Sequence, residues 1–279
     1  MSKALVLGGG GIAGVAWEIG LLAALADDGL DLTDADLFIG TSAGSTVSAQ
    51  ITSGVPLTEL YQQQLDGPNR EMLVDPGRKL LLSILIGILR HPRDEIRFRR
   101  HLGKMALRAK TPTESARREI IASRLPVHDW PFPPVKITAV DAKSGEFVVF
   151  DRSSGVELVD AVAASCAVPG AWPCVTINGR RFMDGGLRSV ANIDLAAGYD
   201  RVVVIAPLKL GAGPMPSPDT QIASLRAADA SVAVVYPNKA ATAAFGKNAL
   251  DPVVRAPSAR AGYAQAPSVL DEVRAIWLT

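Results

Sequence analysis

Short, wholly apolar runs alternate along the chain with longer stretches in which apolar residues recur every three or four positions. The first pattern fits strands covered on both faces, and the second fits helices. Ala4 to Leu7 is such a strand, Gly8 to Gly11 make the turn after it, and Ile12 to Asp28 carry helical spacing that Gly29 ends as a C′ residue. Asp36 to Ile39 is a second strand, followed at once by Gly40-Thr41-Ser42-Ala43-Gly44 and a helix through about Ser53. Strand, glycine turn and helix, repeated twice, predict a βαβ unit and a parallel sheet.

Residues 55–130 read as amphipathic helix, with Leu80 to Leu89 densely apolar and Arg90 to Lys110 rich in cations. Pro131-Phe132-Pro133-Pro134 breaks that region. Strands return at Val135 to Val140 and Glu146 to Phe150, around a Lys143-Ser144-Gly145 turn. Val156 to Ser165 reads as a helix that Val168-Pro169-Gly170 ends. Val175 to Ile177 and Arg180 to Met183 form a hairpin about Asn178-Gly179. Arg201 to Ile205 is another buried strand, Gly211 to Pro218 a loop, and residues 218–279 read as mostly helical. With no repeat or long linker, residues 1–279 are expected to form a single domain, its motif-bearing core at about 3–210.

Charge narrows the classes. The 29 basic and 28 acidic residues leave a net +1, which gives no electrostatic case for nucleic acid. Cys166 and Cys174 form neither a CxxC nor part of a zinc-spaced Cys/His cluster, so free thiols and no metal are expected. The N-terminal apolar run is too short for a signal peptide, and no apolar stretch approaches the ~20 residues of a membrane span. The chain reads as cytoplasmic.

Two glycine clusters carry the chemistry. Gly9-Gly10-Gly11-Ile12-Ala13-Gly14 fits a dinucleotide fingerprint and fits equally a loop of bare amides facing an oxyanion. A plain tight turn is the third reading. The dinucleotide site expects an acidic residue near the end of the second strand, whereas Asp31 and Asp34 precede that strand, which weakens the cofactor reading. Gly40-Thr41-Ser42-Ala43-Gly44 is GxSxG between a strand and a helix, the context of a nucleophile elbow; a simple helix N-cap at Ser42 is the plainer alternative. His91, His101 and His128 all lie in the middle of the chain, which poorly supports a Ser-His-Asp order ending near the C-terminus. Asp184, at a strand end before Gly185-Gly186, suits a site carboxylate. Asp141, Asp160 and Asp194 read as turn, helix-surface and cap residues.

Taken in order, Gly9 to Gly14, Gly40 to Gly44 and Asp184-Gly185-Gly186, with the stretch Ala163 to Asp194, resemble the patatin-like phospholipases of bacterial type. That resemblance implies an α/β fold, a three-layer α/β/α sandwich with a mainly parallel central sheet. It implies a serine acyl-hydrolase acting on lipid acyl esters through a Ser42–Asp184 dyad, with Gly9, Gly10 and Gly11 at the oxyanion hole and no calcium or other cofactor. Gly40 and Gly44 shape the elbow, and Gly14, Gly185 and Gly186 support it. Ala13 stands where such proteins often carry Arg or Lys. The apolar-then-basic segment at about 80–110 predicts transient membrane-surface contact and a lid over the acyl pocket; a buried helix leading into a solvated basic one is the plainer reading. A catalytically silent lipid-binding protein and a dinucleotide-dependent oxidoreductase remain as alternatives.

Overall fold

A strand with apolar residues on both faces belongs in the middle of a sheet. β1 (Lys3–Leu7) takes that place, parallel to β2 (Leu37–Gly40) on one side and to β7 (Arg201–Ile205) on the other. The computed structural model describes residues 1–66, 71–74, 77–211 and 213–278. Between β1 and β2 lies α1 (Gly11–Asp27), and β2 leads into α2 (Ala43–Ile51) and α3 (Leu57–Leu65). Then come α4 (Gly77–Arg90), α5 (Glu95–Ala106) and α6 (Glu114–Arg124). β3 (Val135–Asp141) and β4 (Phe147–Phe150) precede α7 (Leu158–Ser165), and β5 (Val175–Ile177) pairs with β6 (Arg180–Asp184). After β7 the chain runs through α8 (Pro218–Ala227), β8 (Ser231–Val235), α9 (Lys239–Ala244), α10 (Arg255–Gln265) and α11 (Leu270–Leu278).

The sheet order is β5-β6-β3-β2-β1-β7-β8, with β4 also paired to β3. Pairings among β3, β2, β1, β7 and β8 are parallel, and β4, β5 and β6 add antiparallel ones. Side chains alternate across it. Leu5, Leu7, Phe38, Ile137 and Val203 face one layer holding α1, α2, α7 and α10. Ala4, Val6, Ile39, Val202 and Val204 face the other, against α8. This is an α/β fold with helices on both sides of a mostly parallel sheet.

Two expectations change. The segment after 218 is not only helical, because β8 extends the sheet beside β7. Ser231-Val232-Ala233-Val234-Val235 is a five-residue run in an alanine-rich surrounding, too short for its period to stand out. In the basic region, Arg99 is buried; it donates to the Gly145 carbonyl at 2.7 Å and pairs with Glu95. No helix among the described residues is long and apolar enough to cross a membrane.

Candidate active site

The three glycine motifs meet at the carboxyl ends of β1 and β2, where parallel strands leave a crevice beside helix N-termini. β2 ends at Gly40 and α2 begins at Ala43, so Thr41 and Ser42 make the whole turn. Ser42 has φ 52 and ψ −115, a conformation that costs a non-glycine residue on the order of 1–3 kcal/mol. Its surroundings hold it there. The Ser42 amide donates to Ser165 Oγ at 2.9 Å, and the Ser42 carbonyl accepts from Ser45 Oγ at 2.6 Å and from Cys166 Sγ at 3.2 Å. Gly44 is required by close approach: a Cβ there would run into the Leu7 carbonyl. Gly14 brings α1 against α2, since its Cβ would lie 3.2 Å from that of Ala43.

Ser42 Oγ donates directly to Asp184 Oδ2 at 2.7 Å. The other carboxylate oxygen, Oδ1, accepts the Gly186 amide at 2.8 Å, which fixes the group at the end of β6. Gly185 packs so closely on Thr138 that no Cβ fits. Burial pushes Asp184 up to about 6, against the opposing pull of the Ser42 hydroxyl, the Gly186 amide and the Arg117 cation. The group is therefore a stronger base than a solvated aspartate and is still largely ionised at neutral pH.

On the first glycine loop, Gly9 differs from its expected role. Its amide donates to the Val190 carbonyl at 2.7 Å and is not offered to an oxyanion. The Gly8 amide is also taken, by Ile205 O at 2.9 Å and Glu18 Oε1 at 3.0 Å. Gly10 and Gly11, by contrast, find no acceptor for their amides among the described residues, nor does Ala43, the residue after the serine. Gly11 has φ 64, and a Cβ would meet Ala249 O and Leu250.

A narrow crevice opens over Ser42, walled by Gly11, Ala43, Arg117, Arg124, Trp172 and Leu250. Its room for water centres is about 20 Å³, on the scale of one ordered water. None of its lining residues comes from 80–110, so the expected lid does not roof it in this conformation.

Sequence reasoning missed several of these groups. Arg117 and Arg124 lie within a stretch that reads only as amphipathic helix, and Leu250 within one that reads as mostly helical. Asn192 was passed over inside an apolar run, Val190-Ala191-Asn192-Ile193, where a lone amide was itself a signal. Its Nδ2 donates to Thr41 Oγ1 at 3.0 Å and Ser189 O at 2.9 Å, tying the elbow to the loop after Asp184. The histidines lie elsewhere: His101 Nε2 is 3.1 Å from Ser83 O, and His128 Nε2 is 2.9 Å from Ala122 O. Asp141, Asp160 and Asp194 are occupied by Arg180, Arg118 and Arg188. Cys166 and Cys174 are free and buried, Cys166 beside the serine.

Among solved structures, VipD from Legionella pneumophila shares the fold with a TM-score of 0.51 at 14% identity, over 97% of this chain and 67% of that one. Full-length ExoU of Pseudomonas aeruginosa, solved in complex with full-length SpcU, gives 0.41 at 16% identity, over 100% of this chain and 53% of that one. The chain spans about half the length of that ExoU chain. No curated protein matches it. The family model for patatin-like phospholipase matches residues 5–197, which takes in all three motifs. The chain belongs to the patatin-like phospholipase family.

Proposed function

We propose that the chain is a serine acyl-hydrolase that cleaves lipid acyl esters with Ser42 as nucleophile and Asp184 as base. The observation that carries this reading is the direct 2.7 Å hydrogen bond between the two side chains, buried and with no histidine between them. As Ser42 Oγ attacks the ester carbonyl, its proton passes to Asp184 Oδ2. Charge growing on the carbonyl oxygen is met by the amides of Gly10, Gly11 and Ala43, reinforced by the N-terminal ends of α1 and α2. The protonated Asp184 gives its proton to the departing alkoxide, leaving an acyl-serine. Water then attacks that ester, with Asp184 again taking the proton, and Ser42 is restored.

The lipid surface is met, on this reading, by α4. Its inner residues Ile84 and Ile88 pack beside Phe98 and Leu102 of α5, while Leu81, Leu82, Leu85 and Leu89 are exposed. Exposed Arg90, Arg93, Arg97, Arg100 and Lys104 follow from the end of α4 along α5. Apolar insertion flanked by cations suits an anionic interface. Because the crevice over Ser42 holds little more than a water, an acyl chain requires its walls to part, which fits catalysis at an interface.

A fluorophosphonate probe followed by peptide mapping tests the dyad. Ser42 is expected to be labelled, and Ser42→Ala and Asp184→Asn are expected to lose both labelling and ester hydrolysis. An unlabelled Ser42 in folded protein would sink the enzyme reading and favour a silent lipid-binding protein.

A further inference from the structure

Arg117 sits on α6 in the wall of the Ser42 crevice, with 3% of its surface exposed. Its guanidinium lies 3.6 Å from the centre of the Trp172 ring, a stacking arrangement that leaves the N–H groups directed outward from the guanidinium edge. Neither Nε nor Nη1 meets an acceptor among the described residues. Its neighbour behaves differently. Arg124 donates through Nε and Nη2 to Glu71 at 2.9 and 2.6 Å, and Arg255 bonds the same carboxylate.

Among the described residues the local charges do not balance. Arg117, Arg124 and Arg255 face two carboxylates, Glu71 and Asp184, and Glu71 is engaged by the other two arginines. Burial and the nearby Arg124 cation bring Arg117 down to about 9, so it stays charged at neutral pH. A buried cation with unanswered donors is a costly thing to keep, and an apolar side chain would fill the volume without that cost. The arrangement is explained if an anion completes it when the site is filled.

We propose that Arg117 is an anion anchor: it takes a phosphate oxygen of the ester substrate whose acyl group lies over Ser42. The proposal rests on the hydrolase reading and goes beyond it by assigning the recognition of that phosphate to a residue on α6 instead of the glycine loop. Guanidinium-to-phosphate bonds are charge-assisted, and the dry wall formed by Trp172 strengthens them. An ester with the same acyl chains and no phosphate leaves the donors unanswered, so it is discriminated against.

The test compares short-chain monomeric substrates, dihexanoylphosphatidylglycerol and dihexanoylglycerol, with the full chain and its Arg117→Met and Arg117→Lys variants. The unaltered protein prefers the phosphate ester. Arg117→Met lowers the ratio of the two kcat/KM values about 10–100-fold, mainly through KM, and Arg117→Lys restores part of it. A second arm uses Ser42→Ala protein, so binding is read without turnover. Dihexanoylphosphatidylglycerol raises its Tm, and the added Arg117→Met removes that shift. A ratio unchanged by Arg117→Met, with both substrates slowed alike, overturns the proposal. An equal Tm shift from inorganic phosphate alone assigns the anchor to free phosphate and overturns its role in substrate recognition. Loss of the hydrolase reading looks different: no ester is turned over and Ser42 stays unlabelled, while the binding arm still reports on Arg117. If Arg117→Met does not fold, Arg117→Lys carries both arms.

Discussion

Ser42 Oγ and Asp184 Oδ2 lie 2.7 Å apart although 142 positions separate them in the chain. The contact exists because β2 and β6 take successive stretches of the same edge of β3, Gly40 pairing with Ile137 and Asp184 with Ala139, while β4 lies along the opposite edge. Both motifs therefore emerge at the same level, and the backbone constraints at Ser42 and Gly186 aim the two side chains at each other.

Activity should follow the ionisation of Asp184. Burial raises that group to about 6, so the carboxylate form needed to accept the serine proton is lost as pH falls through that value. Log kcat/KM is expected to drop with unit slope below about pH 6 and to level off above it. A profile flat to pH 4.5 in folded protein would assign the proton to another group.

The same burial works against stability. The folded pKa of Asp184 lies above the ordinary 3.8, so the unfolded chain releases its proton first as pH rises. Its contribution to stability is greatest below about 4 and declines between about 4 and 6, a loss on the order of 2–3 kcal/mol by pH 7. Asp184→Asn should therefore unfold at higher urea than the parent at pH 7, and the gain should vanish by pH 4. A midpoint that falls at pH 7 would contradict this.

Backbone strain at Ser42 gives a second stability test. Glycine accepts φ 52 and alanine does not, so Ser42→Gly should be more stable than Ser42→Ala by about 1 kcal/mol, with both inactive. Equal midpoints would mean the turn is unstrained.

Glu71 should behave in the opposite sense to Asp184. Burial would raise it, but the Arg124 and Arg255 cations override burial and bring it to about 2. Its contribution is present above its ordinary 4.5 and is lost as pH falls toward 2. Glu71→Gln leaves two guanidiniums without their carboxylate and should cost about 3–5 kcal/mol at pH 7, measured by urea unfolding. A change below about 1 kcal/mol would show the cluster to be well hydrated.

At the membrane face, flotation with vesicles containing phosphatidylglycerol should recover the parent protein and not the Leu81→Ser, Leu85→Ser, Leu89→Ser triple variant. Raising salt should weaken recovery of the parent, because cations on α4 and α5 share the contact. Recovery unaffected by the triple substitution would move the contact elsewhere.

How much the sequence disclosed depended on the range of the signal. Local patterns were plain: apolar β1 and β2, the glycine turns, the Asn178-Gly179 hairpin and the serine elbow all sit within windows of a few residues. The pairing of Ser42 with Asp184 came from elimination and resemblance, since nothing local links them. Arg117 and Leu250 were illegible because their meaning depends on which face of α6 turns inward and on where the loop after α9 lands. Gly9 misled in the other direction: composition shows that a loop has bare amides, but not which of them the fold has already engaged.

The closeness of α1 and α10 has a consequence for which parts of the chain the site depends on. Gly20 and Gly262 leave no room for a Cβ between these helices, and the Ala13 amide is held by Ala249 O. The helix whose first turn presents the Gly10 and Gly11 amides is thus clasped by residues that lie beyond the stretch 5–197 matched by the family model. A chain cut before residue 249 would keep all three glycine motifs and lose the contacts that hold this helix in place.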